Sequence, residues 1–472
     1  MHSRMGYRGD RSKHFPVRYI RTIPGPQRGA DPVPTTVPTT LQQESWLRSL
    51  ASGGRLTSVP CLAAAGARLD EAALARAIGA AVAAHPALRT SFRPETPGEA
   101  VVHGPAPAVV AQPISAGPIA AGPILPEPIP PQPIPSAADP QDALRDFLTG
   151  PIPLDAPVRL RWSTLDPGDG TTALALAADH LAVDALSVFL LVDDIGRHYA
   201  AEAQPVADDG YYAFAARQRD LLGGPLGDVA RAYWEERFDR WGPGTPACAL
   251  AAPEAGRAGG RHHDHRPLAG APGRALDELA VRHHTSRFVV LAAALLHAQL
   301  ELTGAESAGI ATDFHGRVDP GVWRTVGLFA HGMPIHLDRA DGRTLDLAVA
   351  AVRDAIAEAT SYAMPLRELS RAWSRRSSRT AEYERPHVFL AAPTRYRKRR
   401  GSASPARSEI AFEPLDLAPF SVASPNRLHV ALAGAGDDFH LTAQANTAVF
   451  PADRVQALVD AALDAVQATA AP

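Results

Sequence analysis

The chain has 472 residues, of which 46% are hydrophobic and 21% are charged, and its formal net charge is −3 at pH 7. This composition is typical of globular proteins, and the length exceeds what one hydrophobic core usually organises, so we expect two lobes. The net charge gives no support to a nucleic-acid-binding function. No apolar run approaches the roughly 18–20 residues that span a bilayer, and the basic N-terminus lacks the apolar core of a secretory signal. We therefore expect a cytoplasmic protein without a membrane partner.

Several common catalytic motifs are missing from the sequence. The two cysteines, Cys61 and Cys248, lie in unrelated contexts, which excludes a disulfide framework, a cysteine-based zinc site and a CxxC redox motif. Plain apolar sequence follows each cysteine, so both are predicted to be packing residues rather than nucleophiles. The chain contains no Walker loop, no GxSxG elbow and no Rossmann fingerprint. Nucleotide-driven and serine-hydrolase chemistry therefore lose support.

The chain begins with a segment that predicts no regular structure. Residues 1–38 are rich in Pro, Arg and Thr and show no apolar periodicity, which predicts a flexible leader. The following LQQESWLRSLAS predicts a helix, because Trp46, Leu47 and Leu50 are spaced for one helical face.

A second helix is predicted over LDEAALARAIGAAVAAHPALRTSF. Its apolar residues recur at intervals of three and four, Asp70 and Glu71 suit its start, and Pro86 marks its end. Proline is then dense from Gly104 to Pro140, which is incompatible with a helix or a central strand. This segment predicts an extended surface excursion.

A hairpin followed by a helix is predicted next. VRLRWSTL and TTALALAAD are joined by the turn DPGDG, and the second strand is apolar on both faces, which predicts a buried central strand. ALSVFLLVDDIGRHYAAEA then predicts an amphipathic helix with Leu186, Leu190 and Ile195 facing inward. After the helix DVARAYWEERFDRW, the Gly/Pro/Ala-rich stretch 242–260 is the predicted link between lobes.

The second half repeats this alternation of helix and strand. Helices are predicted over ALDELAVRHH, SRFVVLAAALLHAQLELTG, LDLAVAAVRDAIAEATSYA and DRVQALVDAALDAVQA. Strands are predicted over AGIATDF, RPHVFLAAP, RLHVALAG and FHLTAQAN. Because both halves mix helix and strand in similar proportion, we predict an α/β fold of two lobes, residues 39–240 and residues 241–472.

The leading candidate for chemistry is the pair His180 and Asp184 in AADHLAVDALS. Histidine exchanges protons near neutral pH. His180 follows a predicted buried strand and precedes a helix, a junction where side chains commonly project into a cleft, and Asp184 can cap that helix. The imidazole could then act as a general base. The structural alternative is a helix cap beside a partly buried histidine.

Two other clusters compete with this pair. RHHDHR, with His262, His263, Asp264 and His265, suggests a metal site, although consecutive residues of a strand point to opposite faces. The basic run RYRKRRGSASPAR, residues 395–407, could attract the phosphates of coenzyme A or of carrier-borne phosphopantetheine. The alternative for both clusters is solvated surface.

In the order of its segments, the chain resembles the condensation-domain superfamily of nonribosomal peptide synthetases and its stand-alone acyltransferase relatives. LQQESWL looks like the family's opening helix motif, and AHPALRTSF looks like its histidine-proline-leucine-arginine-threonine segment. ADHLAVDALS resembles the signature HHxxxDG, with His180 at the second, catalytic histidine and Asp184 at the aspartate. The segment SRFVVLAAALLHAQLELTGAESAGIATDFHGR ends in the family's arginine, here Arg317, and VGLFAHGMPIHLD is similar to IGFFVNTLPLR.

This resemblance implies two chloramphenicol-acetyltransferase-like lobes that form a V with a tunnel between them. A thioester donor, carried by phosphopantetheine or coenzyme A, is implied to enter from one side and a small-molecule acceptor from the other, with no bound cofactor and no metal. His180 is implied to face the tunnel and to position or deprotonate the acceptor, while Asp184 pairs with Arg317. The implied partner is an acyl or peptidyl carrier protein.

The sequence departs from the family pattern at three places, and these departures keep alternatives open. Asp179 replaces the first signature histidine, Ala185 replaces the glycine, and His331–Gly332 replace an asparagine-threonine pair. Asp179 could orient the loop, place a negative charge beside His180, or mark a site that has lost catalysis. The hypotheses are therefore a free-standing amide-forming acyltransferase, an ester-forming one, and a non-catalytic docking module. A metal hydrolase at His262–His265 is the unrelated alternative.

Overall fold

The computed structural model describes most of the chain. The described residues are 34–51, 58–65, 67–104, 140–166, 170–200, 210–241, 250–251, 260–365, 368–369, 387–391, 412–414, 427–435 and 438–471. Residues 1–33 of the leader, residues 105–139 of the proline-dense excursion, most of the link and the basic run lie outside them. No helix in the described part of the chain has the length and apolarity needed to cross a membrane.

The N-terminal half alternates strands and helices. In chain order they are β1 (Thr35–Pro38), α1 (Leu41–Ala51), β2 (Ser58–Ala65), α2 (Glu71–Ala84), β3 (Thr90–Phe92), β4 (Glu99–Val102), α3 (Pro140–Thr149), β5 (Leu160–Leu165), β6 (Thr172–Asp179), α4 (Ala185–Tyr199), α5 (Gly210–Gly223) and α6 (Pro225–Trp241). Helix α2 begins where the Asp70 side chain accepts a hydrogen bond from the amide of Ala73. It ends at Ala84, two residues before Pro86, which cannot continue an α-helical hydrogen-bond pattern.

The C-terminal half follows the same plan. Its elements are β7 (Arg261–Pro267), α7 (Ala271–Arg282), α8 (Arg287–Thr303), β8 (Ser307–Phe314), β9 (His331–Asp338), α9 (Leu345–Ser361), β10 (His387–Ala391), β11 (Phe412–Pro414), β12 (Arg427–Ala435), β13 (Asp438–Asn446) and α10 (Ala452–Ala470). The Ser286 side chain caps the start of α8. Gly304, in the left-handed conformation at φ 65°, ends the helix.

The described strands form three sheets, with the strand orders β1-β4-β3, β11-β2-β6-β5 and β7-β13-β12-β10-β8-β9. The predicted hairpin is confirmed, because β5 and β6 are antiparallel with Leu165 opposite Ala173. The predicted central strand is confirmed as well, since every residue of β6 is buried and the strand lies between β2 and β5. In the six-stranded sheet, β10 is parallel to both of its neighbours, β8 and β12.

Two strands lie where the sequence did not place them. The prediction of a flexible leader is wrong for residues 35–38, which form β1 and pair with β4, with Thr35 opposite Val102. Thr and Val suit a strand, but the partner that stabilises this one lies more than sixty residues away. Strand β11 comes from the C-terminal half, yet it pairs with β2 in the N-terminal sheet, with Phe412 opposite Ala65.

Two large hydrophobic clusters pack helices against the six-stranded and four-stranded sheets. The larger consists mainly of residues from α7 to α10 and the core face of the six-stranded sheet. The other joins α2 and α4 to one face of the four-stranded sheet, and it also contains Val326 from the C-terminal half. Strand β6 is buried along its whole length, so its last residue, Asp179, and the turn that follows are held by packed neighbours.

Candidate active site

The His180 ring is held at the turn between β6 and α4. The amides of Ala182 and Val183 donate hydrogen bonds to the carbonyl of Asp179, at 2.8 and 3.1 Å, and these bonds close the turn. Nδ1 of His180 lies 3.0 Å from the carbonyl oxygen of Val183. Because a carbonyl can only accept, the neutral imidazole carries its proton on Nδ1 and its lone pair on Nε2. Nε2 is not buried, and no residue in the described ranges forms a hydrogen bond to it.

Asp179, the residue in place of the first signature histidine, is buried and fully engaged. One carboxylate oxygen accepts the amide of Leu181 at 2.8 Å, and the other forms an ion pair with the guanidinium of Arg159. Neither side chain of the pair is exposed by more than 1%. Arg159 also donates to the carbonyls of Ile152 and Leu154. Of the three roles considered for Asp179, the one this geometry supports directly is to orient the loop.

Asp184 and Arg317 form a second buried ion pair, as the resemblance implied. Nη1 and Nη2 of Arg317 lie 2.7 and 3.1 Å from the two carboxylate oxygens of Asp184. One oxygen also accepts the amide of Ser187, so Asp184 caps α4, and the other accepts the amides of Phe329 and Ala330. Asp184 therefore joins the start of α4 to two segments of the C-terminal half.

Although Asp184 is buried, its partners together lower its pKa. Burial is the largest influence and opposes ionisation, but the charge and hydrogen bonds of Arg317 and the hydrogen bonds from Ser187 outweigh it and lower the pKa. The Ser187 hydroxyl accepts from Arg317 at 2.7 Å and donates to the carbonyl of Gly327 at 2.7 Å. The backbone of Gly327 also lies close to Tyr211. A Cβ at position 327 would stand 2.2 Å from the Tyr211 ring, so this contact requires glycine.

The two carboxylates beside His180 are thus each neutralised by an arginine of their own. Neither Asp179 nor Asp184 has a hydrogen bond to the imidazole, which is oriented by the backbone carbonyl of Val183. The arrangement is therefore not a charge-relay dyad. Within the described residues it provides one imidazole with an unshared lone pair on a turn fixed from both sides, which is what a general base requires. The catalytic role of His180 stays a prediction.

Helix α1 contributes two residues to the candidate site that the sequence did not predict. Its buried residues include the polar Gln42, Gln43 and Glu44, whereas Trp46 and Leu50 of the predicted apolar face are only partly buried. Nε2 of Gln43 donates to the carbonyl of Leu181 at 2.7 Å, and Nε2 of Gln42 donates to the carbonyl of Phe329 at 2.8 Å. Helix α1 therefore clamps the His180 turn to the Phe329 segment. The repeated amides in LQQE were the available signal.

Two histidines of the C-terminal half, His331 and His315, lie next to the residues that bind Asp184. His331 follows Ala330, the residue whose amide binds Asp184, and lies opposite Phe314 in the sheet. Part of its surface stays accessible, but protein atoms surround the ring, and this burial lowers its pKa to about 4. Burial and the nearby Arg317 charge also lower the pKa of His315. Both rings are therefore neutral at pH 7.

The His262–His265 cluster is not arranged as a metal site. His262 to His265 lie on the edge strand β7 with alternating exposure, as predicted, so neighbouring side chains point to opposite faces. Among the described residues, no three His, Cys, Asp or Glu side chains are placed to hold a metal ion. Cys61 is buried, and burial raises the pKa of its thiol to about 12, which fits a packing residue. Cys248 and the basic run lie outside the described residues.

Comparison with known protein families identifies the chain. The family model of the Condensation domain matches residues 136–472. The chain belongs to the condensation-domain family. The sequence resemblance is thereby confirmed at the level of the family, and family membership supports an acyltransferase-type enzyme.

Curated relatives of this condensation domain are much longer proteins. It is 29% identical over 336 residues to the phosphinothricin tripeptide synthetase PhsB of Streptomyces viridochromogenes, covering 68% of this chain and 26% of that protein. It is 26% identical over 224 residues to the cyclosporin synthetase of Tolypocladium inflatum, covering 45% of this chain and 1% of that protein. In four of its curated relatives, the matched region covers 8% or less of the relative's length.

Solved structures agree on the fold. The X-domain from teicoplanin biosynthesis matches with a TM-score of 0.71 at 18% identity, covering 94% of this chain and 97% of that one. The first condensation domain of the calcium-dependent antibiotic synthetase, in complex with a substrate analogue, matches with a TM-score of 0.68 at 17% identity and covers 92% and 96%. PapA2 acyl transferase matches with a TM-score of 0.68 at 17% identity and covers 93% of each chain. The predicted α/β, chloramphenicol-acetyltransferase-like fold is thereby confirmed.

Proposed function

We propose that this condensation domain transfers an acyl or aminoacyl group from a thioester to an amine and forms an amide in natural-product biosynthesis. The observation that carries the proposal is the unshared lone pair on Nε2 of His180, fixed by the Nδ1 bond to Val183. The proposed donor is a thioester on phosphopantetheine or coenzyme A, and the proposed partner is an acyl or peptidyl carrier protein. No metal or resident cofactor enters the mechanism.

The proposed reaction proceeds by direct attack. Nε2 of His180 accepts a proton from the acceptor nitrogen as this nitrogen attacks the thioester carbonyl carbon, and a tetrahedral intermediate forms. The carbon–sulfur bond then breaks, the carbonyl re-forms, and the departing thiolate receives the proton. Asp184 and Arg317 hold the loop without exchanging protons, and Asp179 with Arg159 does the same from the other side. The reactants are proposed to meet in a tunnel between two lobes arranged as a V.

The acceptor class can be tested directly. The protein is incubated with an acyl-loaded carrier protein and an equimolar pair of acceptors, an amine and the matching alcohol, and the products are identified by mass spectrometry. An amide that depends on the protein supports the proposal. An ester as the main product would replace the amide-forming function with the ester-forming one.

A second candidate, a non-catalytic docking module, is favoured by two specific observations. Asp179 stands in place of the first signature histidine. The X-domain from teicoplanin biosynthesis, in complex with OxyB, matches the chain with a TM-score of 0.67 at 18% identity. A docking module predicts carrier binding without any transfer, so a carrier-binding measurement beside the product assay separates the two functions.

A further inference from the structure

Helix α1 provides a platform for the His180 turn. Gln43 bonds to the carbonyl of Leu181, and Leu47 is fully buried in one cluster with Leu181. On the same helix, the Trp46 ring lies against the imidazole of His180, with ring centroids 5.4 Å apart and planes inclined at 38°. The hydrogen bond and the shared apolar cluster fix the indole relative to the imidazole. Trp46 therefore occupies a defined place beside the candidate base.

The indole N–H of Trp46 is an unused donor. Trp46 is only partly buried, its Nε1 is not buried, and no described residue accepts a hydrogen bond from it. An indole nitrogen can donate but cannot accept. Because the two rings are neighbours, the indole lies beside any substrate group that reaches the imidazole of His180.

Covering a donor without replacing its partner has a cost. A hydrocarbon chain over the indole N–H would leave the donor unsatisfied, whereas an oxygen acceptor at the same place would keep it bonded. Sites with such a donor reject ligands that lack the complementary acceptor more strongly than apolar pockets reject a missing methylene. The expected preference is on the order of tenfold in binding.

We propose that Trp46 forms a wall of the substrate site and that its indole N–H binds an oxygen of the donor's acyl group. The site would then prefer acyl donors with a hydrogen-bond acceptor close to the thioester, such as N-acylaminoacyl or peptidyl groups, over plain alkanoyl groups. This inference rests on the proposed function and adds a donor class to it. It assigns Trp46 to substrate binding and leaves proton transfer with His180.

The test measures binding without transfer. Two pantetheine ketone analogues, in which methylene replaces the thioester sulfur, carry N-acetylglycyl and pentanoyl groups of equal chain length. Their Kd values are measured by titration calorimetry for the wild type, Trp46→Phe and Trp46→Leu. The wild type should bind the N-acetylglycyl analogue about tenfold more tightly, and Trp46→Phe, which keeps the ring and loses the N–H, should reduce this ratio to near one. Trp46→Leu should weaken binding of both analogues.

A matched control is Trp241→Phe. Trp241 also packs against a histidine, with its ring centroid 4.8 Å from that of His336, but it lies in α6. This variant should keep the wild-type ratio. A preference that survives in Trp46→Phe, or no preference in the wild type, would overturn the inference. Neither analogue can be transferred, so loss of the proposed acyl transfer leaves this binding ratio measurable and separable.

Discussion

The buried ion pair between Asp179 and Arg159 makes the departure from the family signature a test of the structure. Asp179→Asn removes the charge but keeps an oxygen that can accept the amide of Leu181. Arg159 then stays buried beside a neutral partner, with carbonyls such as that of Ile152 as its remaining acceptors. Breaking a buried pair from one side typically costs about 3–5 kcal/mol. Because carbonyls around Arg159 remain as acceptors, we expect the Asn variant to lose about 3 kcal/mol of unfolding free energy. Asp179→His also removes the acceptor oxygens, so we expect a loss of about 5 kcal/mol.

The assay is the free energy of unfolding in urea, followed by tryptophan fluorescence. Glu236→Gln serves as the control, because its ion pair with Arg240 joins side chains that are 68% and 57% exposed. Such a surface pair contributes below about 1 kcal/mol. Replacing both buried partners, as in Asp179→Leu with Arg159→Met, should restore most of the lost stability. A buried ion pair at this position would be contradicted if Asp179→Asn destabilises no more than Glu236→Gln, or if the double variant is less stable than either single variant.

Three further predictions concern Arg317, the buried Ser187 and the response to acid. Arg317→Lys replaces a two-point contact with Asp184 by a single ammonium, so a loss of about 2–4 kcal/mol is expected in urea unfolding, and an unchanged midpoint would contradict it. Ser187→Ala should lose about 1–3 kcal/mol in the same assay, whereas Ser187→Thr should recover part of it. Burial lowers the pKa of His336 from 6.5 to about 4, so the unfolded chain binds more protons and stability falls as pH falls through that window. His336→Phe, which keeps a ring against Trp241, should flatten the dependence of unfolding free energy on pH by up to about 1.4 kcal/mol per pH unit, and an unchanged slope would refute this.

Local sequence was sufficient for the elements that carry the site. The uninterrupted apolar run of TALALAAD predicted a central strand, and β6 is buried at every position. The polar turn DPGDG predicted the hairpin with β5. Asp184 was predicted as a helix cap, and its carboxylate accepts the Ser187 amide at the start of α4. Each of these features depends on residues close together in the chain, where periodicity and capping rules apply.

The contacts that complete the site come from distant segments. The pair of Asp179 with Arg159 and the bond from Gln42 to Phe329 link positions whose spacing shows no pattern. Helix α1 was predicted with its apolar residues inward, but its first turn buries amide side chains, because these satisfy carbonyls of two other segments. The pair of Arg317 with Asp184 was expected only because of the resemblance to a family. Composition and periodicity alone do not predict it.

Single-turnover transfer from a loaded carrier protein, compared between the wild type and His180→Ala, tests whether Nε2 of His180 takes the proton of the attacking nucleophile. Loss of two or more orders of magnitude in the transfer rate, with carrier binding retained, is the predicted result. His297→Ala is the control, since Nδ1 of His297 also bonds a backbone carbonyl, that of Gly342 at 2.7 Å, and its ring is also half-buried. Equal rates for His180→Ala and His297→Ala would contradict this role of His180.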